Sequence, residues 1–157
     1  MGFLEWLEET SIAEWARVSI EGYPIIITAH SIGLAVMVGI AVMLDLRLLG
    51  RFREIPFTTF NRILVAAWLG FAINFLSGLV LLTMQATDYV SNTLFLIKVG
   101  LVLLGAVITA QQHFMISRNS VSWSTTDAPS SAKVVAIMSL VFWIGAIIVG
   151  RQIAYQN

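Results

Sequence analysis

The sequence predicts an all-α membrane protein, a four-transmembrane-helix bundle with an N-terminal amphipathic interfacial helix. Hydrophobic residues make up 58% of the 157, charged residues only 11%, and the mean hydropathy of +0.86 lies far above that of a soluble domain. Four apolar segments, about residues 24–48, 63–84, 93–115 and 134–155, are each long enough at 1.5 Å per residue to cross a hydrocarbon core of about 30 Å. The stretch before them, residues 1–22, is polar on one side only. The whole chain, 1–157, reads as a single transmembrane domain.

In that first stretch Phe3, Leu4 and Leu7, then Ile12, Trp15 and Val18, recur at helical spacing against Glu5, Glu8, Glu9 and Glu14. Ser11 and Glu14 match the S-x-x-E capping box, which predicts a break at Glu9 or Thr10 and a new helix from Ser11. Trp6 and Trp15 suit the headgroup level. Surface helices drawn to anionic lipid are usually basic, and this polar face is acidic, so docking against the bundle or a partner is the expectation. No positive n-region with a short apolar core and cleavage site opens the chain, so no cleaved signal peptide is expected.

The first span follows Pro24, which suits a first helical turn. Between Pro24 and Leu44 the clearly polar side chains are Thr28, His30 and Ser31. An ionisable group inside lipid is costly enough to need a reason. His30 is therefore either a neutral imidazole donating to a nearby carbonyl or hydroxyl, or a metal ligand or proton carrier. The second span carries Asn74 and Ser77 among Gly70 and Gly78, a pattern that fits hydrogen bonding across a close helix contact, with Thr58, Thr59 and Asn61 as candidate caps. The third has Lys98 near one end and Gln111, Gln112 and His113 near the other. Residues 117–133, rich in Ser and Thr, read as a flexible loop, and Ser130 or Ser131 as the cap of the fourth span. Small residues for close helix approach are Ala35, Gly39, Gly70, Gly78, Gly100, Gly105, Gly145 and Gly150.

The ends joining spans one to two and three to four hold Arg47, Arg51, Arg53, Arg62, Arg118 and Lys133, against Arg17, Lys98 and Arg151 on the opposite side. The positive-inside bias makes the first side cytoplasmic. Both termini then lie on the outer, periplasmic face of a bacterial inner membrane. Zero cysteines exclude disulfides, thiolate clusters and c-type haem attachment. A net charge of zero without a basic block gives no support to nucleic acid as a partner.

Spans one and three run in the same direction, so His30 and His113 differ in depth by about 20 Å. They cannot be trans axial ligands of one haem, whose ligand atoms sit about 4 Å apart. The polar groups fall instead into two layers. The outer one holds His30, Lys98 and Arg151, with Tyr23 and Tyr155 at the same level, and fits haem propionates or a small anion beside a His30 iron ligand. The second polar layer holds Asp45, Arg47, Arg62, Trp68, Gln112 and His113. Bland readings stand beside both: Lys98 and Arg151 as snorkelling cations, Asp45 with Arg47 as an interfacial salt-bridge cluster.

His30 with Gly33, DLRLLG at 45–50, LFLIK at 94–98 with a histidine fifteen residues later, and GRQIAY at 150–155 together give the chain a recognisable signature. It resembles a family of uncharacterised bacterial four-helix integral membrane proteins over nearly its whole length. More distantly it is similar to the copper resistance D and membrane protoporphyrinogen oxidase families. The latter resemblance implies haem b, with His30 as a haem ligand and Lys98 as a functional cation. Where such oxidases carry a second His directly after the first span, this chain has Leu48, Leu49 and Gly50.

The expected function is a membrane redox subunit binding haem b or a quinone in the outer half of the bundle through His30, Lys98, Arg151 and Tyr155, with His30 as metal ligand. Its partners would be the lipid bilayer and a membrane or periplasmic redox partner or a second copy. An accessory or structural subunit of a larger membrane complex is the alternative.

Overall fold

The computed structural model describes residues 2–123, 128–153 and 155. Two short helices, α1 (Phe3–Glu8) and α2 (Ser11–Val18), lead into α3 (Gly22–Leu48) and α4 (Phe57–Met84); α5 (Ala86–Ser91), α6 (Thr93–Trp123) and α7 (Ser130–Ile153) follow. The helices α3, α4, α6 and α7, of 27, 28, 31 and 24 residues, are long and apolar enough to cross a membrane. Their outward faces carry Ile, Leu, Val and Phe in the open, the surface that a lipid bilayer covers. The protein is thus a membrane protein built as a bundle of these helices.

α3 packs on α4 and α7, and α6 on the same two neighbours, so α3 and α6 face each other across the bundle diagonal. The tightest crossing is α3 with α4. A Cβ on Gly33 would lie 2.5 Å from the Gly70 carbonyl oxygen, and one on Gly70 2.9 Å from that of Gly33, so these glycines let two backbones touch. Gly39 and Gly100, expected to serve the same purpose, have nothing within 4 Å of a built Cβ. Gly105 instead accommodates the Trp143 ring, whose nearest carbon would stand 3.0 Å from its Cβ.

The DLRLLG segment ends α3 by a defined mechanism. Gly50, with φ of +89°, takes the left-handed conformation after the helix, while the Gly50 amide donates to the Arg47 carbonyl and the Arg51 amide to that of Leu46. This is a Schellman stop, which a residue with a Cβ adopts only at a cost.

Several boundaries differ from the sequence expectation. The second span starts at Phe57, after Pro56, and Thr58, Thr59 and Asn61 lie inside the helix instead of capping it. Phe57, Phe60 and Leu64, all 0% exposed, place one helical face in the core and extend α4 backwards. The third span continues to Trp123, so residues 117–123 are helix and not loop. Ile116 and Ser120 bury one face there, Trp123 meets Phe57 edge-on, and Ser117, Asn119 and Ser122 turn their polar groups back onto carbonyls of the same helix. Residues 124–127 of the expected loop, and residue 154 of the fourth span, lie outside the described residues. The cap of α2 is Thr10, whose Oγ1 accepts from the Ala13 amide at 3.3 Å, one residue before the expected Ser11. The short α5 joins the second and third spans, where the sequence reading has no helix.

α1 and α2 dock against the bundle end. The Glu8 carboxylate accepts from the Thr87 amide at 2.8 Å and from its hydroxyl at 2.7 Å, while Arg17 donates to the carbonyls of Glu8 and Met84. Those hydrogen bonds from Thr87, with the nearby Arg17 charge, hold the Glu8 carboxyl below its ordinary range.

Candidate functional site

At the end capped by α1, α2 and α5 the bundle holds a cavity of about 680 Å³, within the range of small-molecule and cofactor sites. His30 from α3, Asn74 and Gly78 from α4, Lys98 from α6 and Gly150 from α7 line it, and Arg17 and Tyr89 stand at its capped end. Phe75 and Leu79 of α4 and Val99 and Leu103 of α6 line it too, yet each is more than a third exposed on the apolar outer surface. The cavity therefore opens sideways, between α4 and α6, toward the bilayer.

The imidazole is held in one orientation. Its Nδ1 lies 2.9 Å from the Asn74 backbone carbonyl, which can only accept, so Nδ1 carries the proton. Ser77 Oγ sits 3.2 Å from the same nitrogen while donating to the Ile73 carbonyl at 2.6 Å. The Asn74 carboxamide returns a bond to the His30 carbonyl at 2.8 Å. Nε2 keeps its lone pair and has no hydrogen-bond partner among the described residues. Such an outer bond on one ring nitrogen fixes which nitrogen is offered to a metal or a donor. A Cβ on Gly78 would come within 3.1 Å of the His30 ring, so glycine makes room for it.

Lys98 lines the same cavity as His30. Gly150 gives the Lys98 stem its space, since a Cβ there would lie 3.2 Å from Lys98 Cε. Lys98 makes no hydrogen bond or ion pair among the described residues. Tyr89, on α5, has its phenol pushed up by burial and by the neighbouring Tyr23.

Arg151 and Tyr155, expected beside His30, do not line the cavity. They stack on each other, the guanidinium 5.6 Å from the ring centre, and Tyr155 is 76% exposed. The preceding Gly150 carries the contact to Lys98, so only part of the GRQIAY segment borders the site.

The second layer does not form one cluster. Asp45 is 0% exposed and accepts from Gln112 Nε2 at 2.6 Å across the bundle diagonal. The expected Asp45–Arg47 salt bridge is absent, because the two side chains leave α3 in different directions. Arg47 donates to the Ile55 carbonyl at 2.7 Å and lies 4.1 Å over the Phe57 ring, which fastens the α3–α4 turn. Trp68 Nε1 donates to His113 Nδ1 at 3.2 Å. His113 is thus bound near Asp45's end of the bundle, far from His30.

Asn74, which reads from the sequence as a packing residue, is both packing contact and orienting group for His30. Its spacing to Ser77 and Gly78, i, i+3 and i+4, puts all of them on one helical face, and that was the available signal. Compared with known protein families, with curated proteins and with solved structures, the chain matches none.

Proposed function

We propose that this chain is a membrane redox subunit whose cavity binds a lipid-soluble redox cofactor, haem b or a quinone, against His30. The observation that carries the reading is the His30 ring, locked through Nδ1 by the Asn74 carbonyl, lining a cavity that Lys98 also lines, with no hydrogen-bond partner for Nε2 among the described residues. The donor set suits both cofactors. Nε2 offers a lone pair to an iron or to a quinol hydroxyl, and Lys98 and Arg17 offer cations or N–H donors to propionates or a quinone carbonyl. Bound there, haem supplies a one-electron couple and a quinone a coupled electron and proton carrier. The chain's part is to present Nε2 in one tautomer, place positive charge beside it, and admit an apolar ligand between α4 and α6.

The lysine and arginine bias supports a cavity in the outer half of a bacterial inner membrane, with both termini on the periplasmic side. The distant resemblance to membrane protoporphyrinogen oxidase proteins supports a redox role with haem b.

An absorbance spectrum with a pyridine haemochrome assay, and solvent extraction for quinone, tests the reading on protein purified in mild detergent. His30→Ala should abolish binding, and Lys98→Met should weaken it and shift the redox potential. If both variants fold normally and retain the wild-type cofactor content and spectrum, the site is rejected.

A second reading, an accessory subunit of a larger complex, is favoured by the surface of α1 and α2. Phe3, Trp6 and Trp15 are 71%, 55% and 46% exposed there beside Glu5, Glu9 and Glu14. Co-purification of a partner with a chain that carries no cofactor would decide for it.

A further inference from the structure

Among the described residues, four buried side-chain polar atoms have no hydrogen-bond partner: Asp45 Oδ2, Gln112 Oε1, Ser139 Oγ and Asn61 Oδ1. The first three belong to one layer, on α3, α6 and α7, and their residues are 0%, 1% and 0% exposed. Gln112 Nε2 is committed to Asp45 Oδ1 at 2.6 Å, which fixes the amide and leaves its carbonyl oxygen over. The Ser139 hydroxyl lies beside the carboxyl without reaching hydrogen-bond geometry. One turn toward the capped end the core is fully satisfied: Trp143 Nε1 donates to Thr109 Oγ1 at 3.1 Å, and Thr109 to the Gly105 carbonyl at 2.9 Å. The unsatisfied set is local.

An ionised carboxylate oxygen and an amide oxygen can only accept, so two of these three atoms require a donor or a cation. Charge narrows the choice. When ionised, Asp45 brings one negative charge to the layer, and Arg47, on the same helix, donates to the Ile55 carbonyl and lies over the Phe57 ring. A bridging water would satisfy the oxygens and leave that charge uncompensated in a low-dielectric core. A divalent ion would reverse its sign. All-oxygen ligands suit a hard ion and not a thiophilic one.

We propose that Asp45, Gln112 and Ser139 bind one small monovalent cation of sodium size, through Asp45 Oδ2, Gln112 Oε1 and Ser139 Oγ. The cation neutralises Asp45 and ties α3, α6 and α7 together in the half of the bundle away from His30. An ion held only by the folded state stabilises it by mass action.

The full-length chain in detergent is unfolded thermally in sodium, potassium or choline chloride at equal ionic strength and pH. Sodium should raise the midpoint saturably over choline by about 5 °C. Asp45→Asn and Ser139→Ala should lose that difference, and His30→Ala should keep it, which separates this site from the cofactor cavity. Ser139→Ala removes an unbonded hydroxyl and is expected to fold; should Asp45→Asn not fold, Ser139→Ala and calorimetric sodium titration of the wild type decide. Midpoints that do not depend on the cation, whether or not they depend on pH, overturn the proposal in favour of water or a proton. A sodium response that survives Ser139→Ala overturns it as well.

Discussion

His30 and Asn74 hold each other through opposed hydrogen bonds, the imidazole Nδ1 donating to the Asn74 carbonyl at 2.9 Å and the Asn74 carboxamide to the His30 carbonyl at 2.8 Å. The ring contact uses backbone, the return contact a side chain. Asn74→Leu should therefore remove only the return bond and cost about 0.6–2 kcal/mol, as interhelical bonds in membranes do. Thermal unfolding measures that loss, and cofactor content should stay near wild type because the carbonyl still fixes Nδ1. Cofactor loss as complete as in His30→Ala would show that the side chain itself orients the ring.

The α3–α4 crossing gives a contrast between two glycines on one helix. Gly33→Ala drives a methyl against the backbone of Gly70 and Asn74, which cannot swing aside, and should destabilise by about 1–3 kcal/mol. Gly39→Ala meets nothing within 4 Å and should be neutral or stabilising by up to about 1 kcal/mol through helix propensity. Equal midpoints for the two variants would contradict the close backbone contact.

Docking of α1 should depend on pH through Glu8, whose carboxyl is held below the ordinary 4.5 chiefly by the Thr87 hydrogen bonds. A carboxyl with a depressed folded value contributes stability above its unfolded value and loses it as pH falls through the folded value. Protection of the Thr87 amide, its exchange measured against the unstructured rate at the same pH, should accordingly fall below about pH 4.5 in the wild type. Glu8→Ala should show the lower protection at every pH, with no step in that window.

The orientation can be read with single cysteines, since the natural chain has none. Asp88 lies on exposed α5 at the capped end, and Glu54 in the exposed turn between α3 and α4. An impermeant thiol reagent added to intact cells should label Asp88→Cys and spare Glu54→Cys. The reverse pattern would invert the membrane assignment.

Much of this arrangement was legible by counting. Four apolar runs of sufficient length leave a bilayer as the environment, and 1.5 Å per residue puts His30 level with Lys98 and far from His113; in the structure His30 and Lys98 line one cavity, and His113 pairs with Trp68 outside it. The helix ends were less legible. Ser, Thr and Asn near a span read as caps or loop, yet at Thr58, Asn61 and Asn119 burial of the opposite helical face keeps the helix going.

The sequence by itself determined the class, the number of spans and the depth of each polar group, because all of these follow from chain length along a helix axis. Only the tertiary structure decided which groups meet. The long helices are apolar nearly all round, as lipid requires, so hydropathy does not mark an inner face. Rotation about each axis is set by contacts between helices: Gly33 on Gly70, Asn74 on His30, Gly105 under Trp143, Gly150 beside Lys98. Those contacts turn Lys98 into the cavity and leave Arg151 stacked on Tyr155 outside it, and they send Asp45 to Gln112 while Arg47, two residues on, is taken by Ile55 and Phe57.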